Sequence, residues 1–101
     1  SLKYDIIKNS KSVKIFGNNI GISWYEFKIY DLIDIEITKE EILQKAQNDA
    51  ESYIKNEIMP NVRNGKILDS QISIEYEDEE KIEVKIVYQI SEEVGYFRER
   101  N

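Results

Sequence analysis

The sequence predicts an α+β domain in which one helix packs on a small, mainly antiparallel sheet. Three observations carry that prediction. Residues 38–60 show sustained helical periodicity. Residues 67–76 and 82–91 alternate apolar and polar side chains around a short acidic turn, the pattern of a β-hairpin. A further strand-like run precedes the helix and contains a Gly17-Asn18-Asn19 turn, which implies an N-terminal strand pair.

The helix is expected over residues 38–59. Thr38 and Glu41 have the T-x-x-E spacing of a capping box, in which each side chain satisfies a free backbone N–H of the other residue. Glu40 and Glu41 add negative charge at the positive end of the helix dipole. Ile42/Leu43, Ala46, Ala50, Tyr53/Ile54 and Ile58 recur at three-to-four spacing and define one apolar face. Ala46 and Ala50 are the only alanines in the chain. Small residues four apart let a helix lie close on a sheet. Ala50→Asp should therefore bury an unpaired charge and be severely destabilising. Pro60 stops the helix and should push Met59 out of the α region. The face reads as a core face; as a partner-binding face it would need apolar residues left over after packing.

At the N-terminus, residues 1–12 read as a short edge strand or lead-in with a polar run over residues 8–12. Residues 13–16 read as a short strand. Gly21 is a candidate bulge. Residues 22–37 are long for one strand. Tyr25, Phe27 and Ile29 alternate onto one side, and Ile33, Ile35 and Ile37 continue the same parity. Asp31 interrupts that row, so a bend is expected over residues 30–32.

After the helix, residues 61–65 form a connector with turn chemistry. Leu68, Ser70, Ile72, Ile74 and Tyr76 share one parity, as do Ile82, Val84, Ile86, Tyr88 and Ile90. Tyr76 opposite Ile82 would pair Ile74 with Val84 and Ile72 with Ile86, placing one apolar face against the helix. The other face carries Gln71, Ser73, Glu75, Glu83, Lys85, Val87 and Gln89, and suits a sheet wetted on one side. Residues 96–101 read as a flexible charged tail.

A chain of 101 residues is one domain by length. Its apolar content of 41% is enough for a modest core. A net charge of −6 disfavours nucleic acid and anionic lipid as partners. The chain has no cysteine and no histidine. That removes disulfides and thiolate metal sites, along with the usual general base and triad member. No apolar run is long enough to span a membrane.

Candidate chemistry is sparse. Adjacent carboxylates at Glu40/Glu41, Glu79/Glu80 and Glu92/Glu93 fall at a cap, a turn and a strand end, which is poor placement for a hydrolase. The acidic turn at residues 77–80 lacks EF-hand spacing. No catalytic residue, metal ligand or cofactor site is expected. The remaining candidate is an aromatic patch of Trp24, Tyr25 and Tyr30, either meeting a protein partner or stacking on a small ligand such as a cell-wall sugar.

The segment EEILQKAQNDAESYIKNEIMPNVRNGKILDSQISIEYEDEEKIEVKIVYQISEEVG resembles the C-terminal domain of the YqfD-type (stage IV) sporulation proteins of spore-forming Firmicutes. Glu41, Ala46, Ala50, Pro60, Lys66-Ile67-Leu68-Asp69, the two alternating strands and Glu93-Val94-Gly95 carry the likeness. Upstream, KSVKIFGNNIGISWYEFKIYDL is similar to that family's strand, glycine turn and aromatic strand. The resemblance implies a fragment of a longer, membrane-anchored protein with its transmembrane segment upstream. It implies an extracytoplasmic domain acting during spore formation and leaves the molecular activity undefined. With no histidine or cysteine and an open-edged small sheet, the domain is expected not to be an enzyme and to meet a protein partner or its own copies in the spore envelope. At fold level only, a helix followed by a hairpin is also similar to ring-building domains of sporulation and secretion channels.

Overall fold

The computed structural model describes residues 3–15, 18–32 and 37–93. Strands β1 (Lys3–Ile15), β2 (Asn18–Leu32), β3 (Lys66–Glu77) and β4 (Lys81–Glu93) form one antiparallel sheet in the order β1-β2-β4-β3. Helix α1 (Lys39–Tyr53) packs on one face and continues through a π turn (Ile54–Ile58) and a 3-10 turn (Met59–Asn61). The α+β prediction holds. The chain is two hairpins joined by a helix, with β2 and β4 meeting at the centre of the sheet.

The helix starts as its sequence requires. The Glu41 backbone N–H donates to Thr38 Oγ1 at 3.2 Å, and the Thr38 N–H donates to Glu41 Oε1 at 3.3 Å. Thr38→Ala should cost about 1 kcal/mol, read as a lower urea midpoint, because it returns a helix-terminal N–H to water. Ile42, Ala46, Ala50 and Ile54 are fully buried, and Leu43 and Ile58 pack against them. A strict four-residue repeat drifts about 40° per step around an α-helix. The π turn that begins at Ile54 is wider and offsets part of that drift, which keeps Ile58 beside the core.

Pro60 acts differently from expectation. Met59 stays in the α region, at φ −60° and ψ −35°, and its N–H bonds back to the Ile54 carbonyl. Pro60 occupies the first turn of the 3-10 segment, where its missing N–H is harmless. The connector that follows holds Asn64 at φ 49°. A Cβ at Gly65 would overlap the Val62 side chain, so this close approach needs glycine. The Glu93 N–H donates to the Arg63 carbonyl at 2.8 Å and ties the connector to the end of β4.

The strands also correct the sequence reading. The polar run over residues 8–12 is part of a single 13-residue edge strand. Pairing with β2 runs unbroken from Lys3–Tyr30 to Ile15–Asn18, because ladder hydrogen bonds are indifferent to side-chain polarity at an edge. Gly21 pairs regularly with Ser12 and Glu92, so it marks no bulge. The strand expected over residues 22–37 ends at Leu32, still in regular register with Lys81. Ile37 instead leads into the helix and packs against the core. Ile33 and Ile35, and the tail over residues 96–101, lie outside the described residues.

In the C-terminal hairpin, Ile74–Val84 and Ile72–Ile86 pair as expected, but Tyr76 sits opposite Glu83 and Glu77 opposite Ile82. Two register shifts, between Ile67 and Asp69 and between Ile74 and Tyr76, account for the change. Each adds a residue to β3. The second moves Tyr76 from the helix side of the sheet to the other.

The core is narrow. Tyr25, Phe27 and Ile29 of β2 and Ile82, Val84, Ile86 and Ile90 of β4 are buried beneath the helix. Phe27 makes edge-to-face contacts with Tyr53 at 5.6 Å and Tyr88 at 6.2 Å. A helix about 10 Å across covers strands about 4.8 Å apart only two deep. The molecule measures 60 × 22 × 18 Å, long along the strands, and its two edge strands lie beyond the helix.

Candidate interaction surface

Trp24, Tyr25 and Tyr30 do not share a face. Tyr25 belongs to the core, with only 6% of its surface exposed, and the Lys8 ammonium lies 5.5 Å from its ring centre. Trp24 and Tyr30 are half-buried on the opposite side of the sheet. They stand six residues apart on one extended strand, a separation of about 20 Å. The Tyr30 hydroxyl donates to Asp5 Oδ2 at 2.5 Å. That hydrogen bond, with some burial, raises its pKa above the usual phenol value.

Around these rings the outer face is a polar lattice. Lys85 pairs with Glu75 at 3.8 Å, Lys28 with Glu26 at 3.8 Å, and Lys81 with Glu83 at 3.2 Å. The Lys81 ammonium also lies 5.0 Å from the centre of the Tyr76 ring. Exposed pairs of this kind contribute little individually. They make the face water-compatible, as the alternation predicts.

The carboxylates are engaged in structure. Glu41 closes the helix cap. Glu93 accepts a 2.9 Å hydrogen bond from the Asn64 side chain. Glu77 pairs with Lys39 at 2.6 Å, joining the end of β3 to the start of α1. Asp78 organises the hairpin turn: Oδ1 accepts from the Glu80 and Lys81 backbone N–H groups, and Oδ2 accepts from the Tyr76 hydroxyl. The Tyr76 hydrogen bond first, then the two backbone bonds, hold its pKa below the usual aspartate value. A general acid would need the reverse shift. Among the described residues, no group of three or more acidic side chains is placed to hold a metal ion.

The sign of the Asp78 shift sets a pH dependence. A depressed folded-state pKa contributes stability above the unfolded value and loses it as pH falls through the folded value. The turn should therefore loosen below about pH 4, where an ordinary aspartate protonates. Asp78→Asn should remove that part of the acid sensitivity, as followed by amide NMR shifts at Glu80 and Lys81.

What stands out is β3. Every residue from Lys66 to Glu77 is exposed. By register, Ile67, Ile72 and Ile74 lie on the helix side of the sheet opposite Ile90, Ile86 and Val84, yet the helix does not reach them. Ile72 is 40% exposed and Ile74 42%. The expectation that this row packs against the helix is thus corrected: β4 is covered and β3 is not. Between helix and β3 runs a shallow groove of about 210 Å³, lined by Gln47, Ser70, Gln71, Ile72 and Ile86. On the β1 side, Ile6 is 41% exposed beside a larger groove of about 490 Å³ bounded by Phe27, Ala50, Tyr53 and Asn56.

The sequence signal for this surface was present but ambiguous. Alternation assigns Ile72 and Ile74 to a face; it does not say how wide the covering layer is. A single helix beside four strands was the clue that two strands would stay uncovered. Comparison of the chain with protein-family models, with curated proteins and with solved structures gives no match.

Proposed function

We propose that this chain is a non-catalytic protein-interaction and assembly domain of a membrane-anchored sporulation protein, working on the extracytoplasmic face of a bacterial membrane. The biological setting rests on the sequence resemblance. The interaction role rests on one observation: β3 is a 12-residue edge strand whose isoleucines lie uncovered on the apolar side of the sheet. An open edge with apolar side chains is a template for another chain.

The sugar-binding alternative has less support. Its three rings are split between two faces, and Trp24 and Tyr30 are too far apart to enclose one sugar. A carboxylate hydrolase has less still, since Asp78, Glu41, Glu77 and Glu93 each hold a turn, a cap or an element end.

Cross-linked pull-down from sporulating cells tests the reading, with the tagged chain as bait. Envelope proteins should be recovered in stoichiometric yield. Recovery of none would remove the proposed role.

A further inference from the structure

The structure assigns an occupant to the β3 edge: a second copy of this chain, pairing β3 against β3 antiparallel about a twofold axis near Ile72. This rests on the interaction role proposed above and names its partner.

The first support is how unequally the two edges are defended. β1 carries Lys8, Lys11 and Lys14 along its length, all exposed. Lysines on an edge strand oppose pairing, because a partner strand must desolvate them or face their charge. The middle of β3, Ser70-Gln71-Ile72-Ser73-Ile74, has no charge and no proline. Two register shifts bracket this stretch and leave Asp69–Ile74 in regular pairing with β4. The outer rim of that regular segment is open to a further strand.

The second support is charge complementarity along β3. Arg63 and Lys66 lie at its start, with Asp69 the one acid in that half. Its end runs into Glu75, Glu77, Asp78, Glu79 and Glu80. An antiparallel pair about Ile72 sets Lys66 of each strand level with Asp78 of the other, and does so twice; Asp69 falls level with Glu75, whose charge Lys85 offsets at 3.8 Å. A parallel pair would set acid against acid. Pairing β3 to β1 of another copy, with both helices on the same face, is antiparallel too, and brings the β1 lysines toward Arg63 and Lys66. Charge therefore selects β3 with β3, a self-complementary contact of the kind that closes as a dimer.

The third support is the apolar row. With Ile72 of one copy against Ile72 of the next, Ile74 falls beside Ser70 of the partner. The exposed isoleucines then share one strip between the two helices. The regular stretch is about 20 Å long, so the contact is small and its strength depends on concentration.

The absence of cysteine gives a direct test. Ile72→Cys places two sulfurs at the axis, where facing Cα atoms of an antiparallel pair are about 4.5–5.5 Å apart, within the range a disulfide spans. Under mild oxidation Ile72→Cys should give a covalent dimer, and Ile6→Cys on β1 should not. Sedimentation of the unmodified chain should show a monomer–dimer equilibrium. Ile72→Lys/Ile74→Lys should abolish it without changing the circular dichroism of the monomer. Lys66→Glu should weaken the dimer roughly tenfold by facing acid with acid. Adding Glu79→Lys and Glu80→Lys to the same chain should restore it. If Ile6→Cys cross-links as fast as Ile72→Cys, or if association survives in the double lysine variant, the β3 pairing is overturned while the assembly role stands. A monomer at every concentration overturns the pairing as well, and the pull-down then decides the broader role by itself.

Discussion

Ala46→Asp unfolds this domain or lowers its melting temperature by more than about 12 °C, the equivalent of a loss of roughly 3 kcal/mol or more for a chain of this length. Ala46 is fully buried, and it clusters with Val84 and Ile86 where the helix lies on the sheet. A carboxylate buried there loses its hydration, so it must either protonate or push the helix off. Total stability for small domains is about 5–15 kcal/mol, and the change takes a large fraction of it. Thermal melts by circular dichroism, repeated at acid pH, check the outcome. Partial recovery on acidification is expected, because the neutral acid is cheaper to bury. For Ala50→Asp the structure tempers the severe loss expected from the sequence: Ala50 is equally buried, but the damage should be less. Ala50 borders the groove beside Phe27 and Tyr53, which gives a carboxylate a route to solvent.

Phe27→Ala costs about 3 kcal/mol, toward the lower end of the range for deleting a buried phenylalanine. Its ring is 1% exposed and holds Tyr53 of the helix and Tyr88 of β4 in edge-to-face contact. Removing it strips three elements of a shared anchor. The value falls at the low end because the same ring walls the open groove beside Ile6, so water can enter the space it leaves. Urea denaturation measures the difference. Phe27→Leu should recover more than half of it, since most of the loss is buried volume.

The helix was legible because its signals agree at every level: a capping box at Thr38 and Glu41, four-residue spacing through Ile42, Ala46, Ala50 and Ile54, and the scarcity of alanine elsewhere. Its ending was not, because a proline after Met59 is compatible with a π turn that sequence periodicity does not announce. The central pairs Ile72–Ile86 and Ile74–Val84 followed from parity. Parity then failed at Tyr76, since one added residue in β3 inverts every later side chain. The polar run over residues 8–12 hides how far the edge strand expected within residues 1–12 extends; these residues stay in the strand because β2 supplies their partners. The aromatic cluster around Trp24 failed for the same geometric cause that made the strands readable. Neighbours in an extended strand point to opposite sides, so Trp24 and Tyr25 cannot meet one ligand.

The sheet order also sets a timetable for folding. β1 with β2, and β3 with β4, are local hairpins of a kind that forms in microseconds. Only the β2–β4 seam joins partners from opposite sides of the helix, from Ile20 with Glu93 to Leu32 with Lys81. Closing that seam orders the whole chain between them, so it should be the slow step. Amide exchange in β2 and β4 should then report global unfolding, while β3 exchanges through cheaper local opening at the rim. A bound second copy would slow exchange along β3 and leave the seam unchanged, because the seam already opens only when everything does.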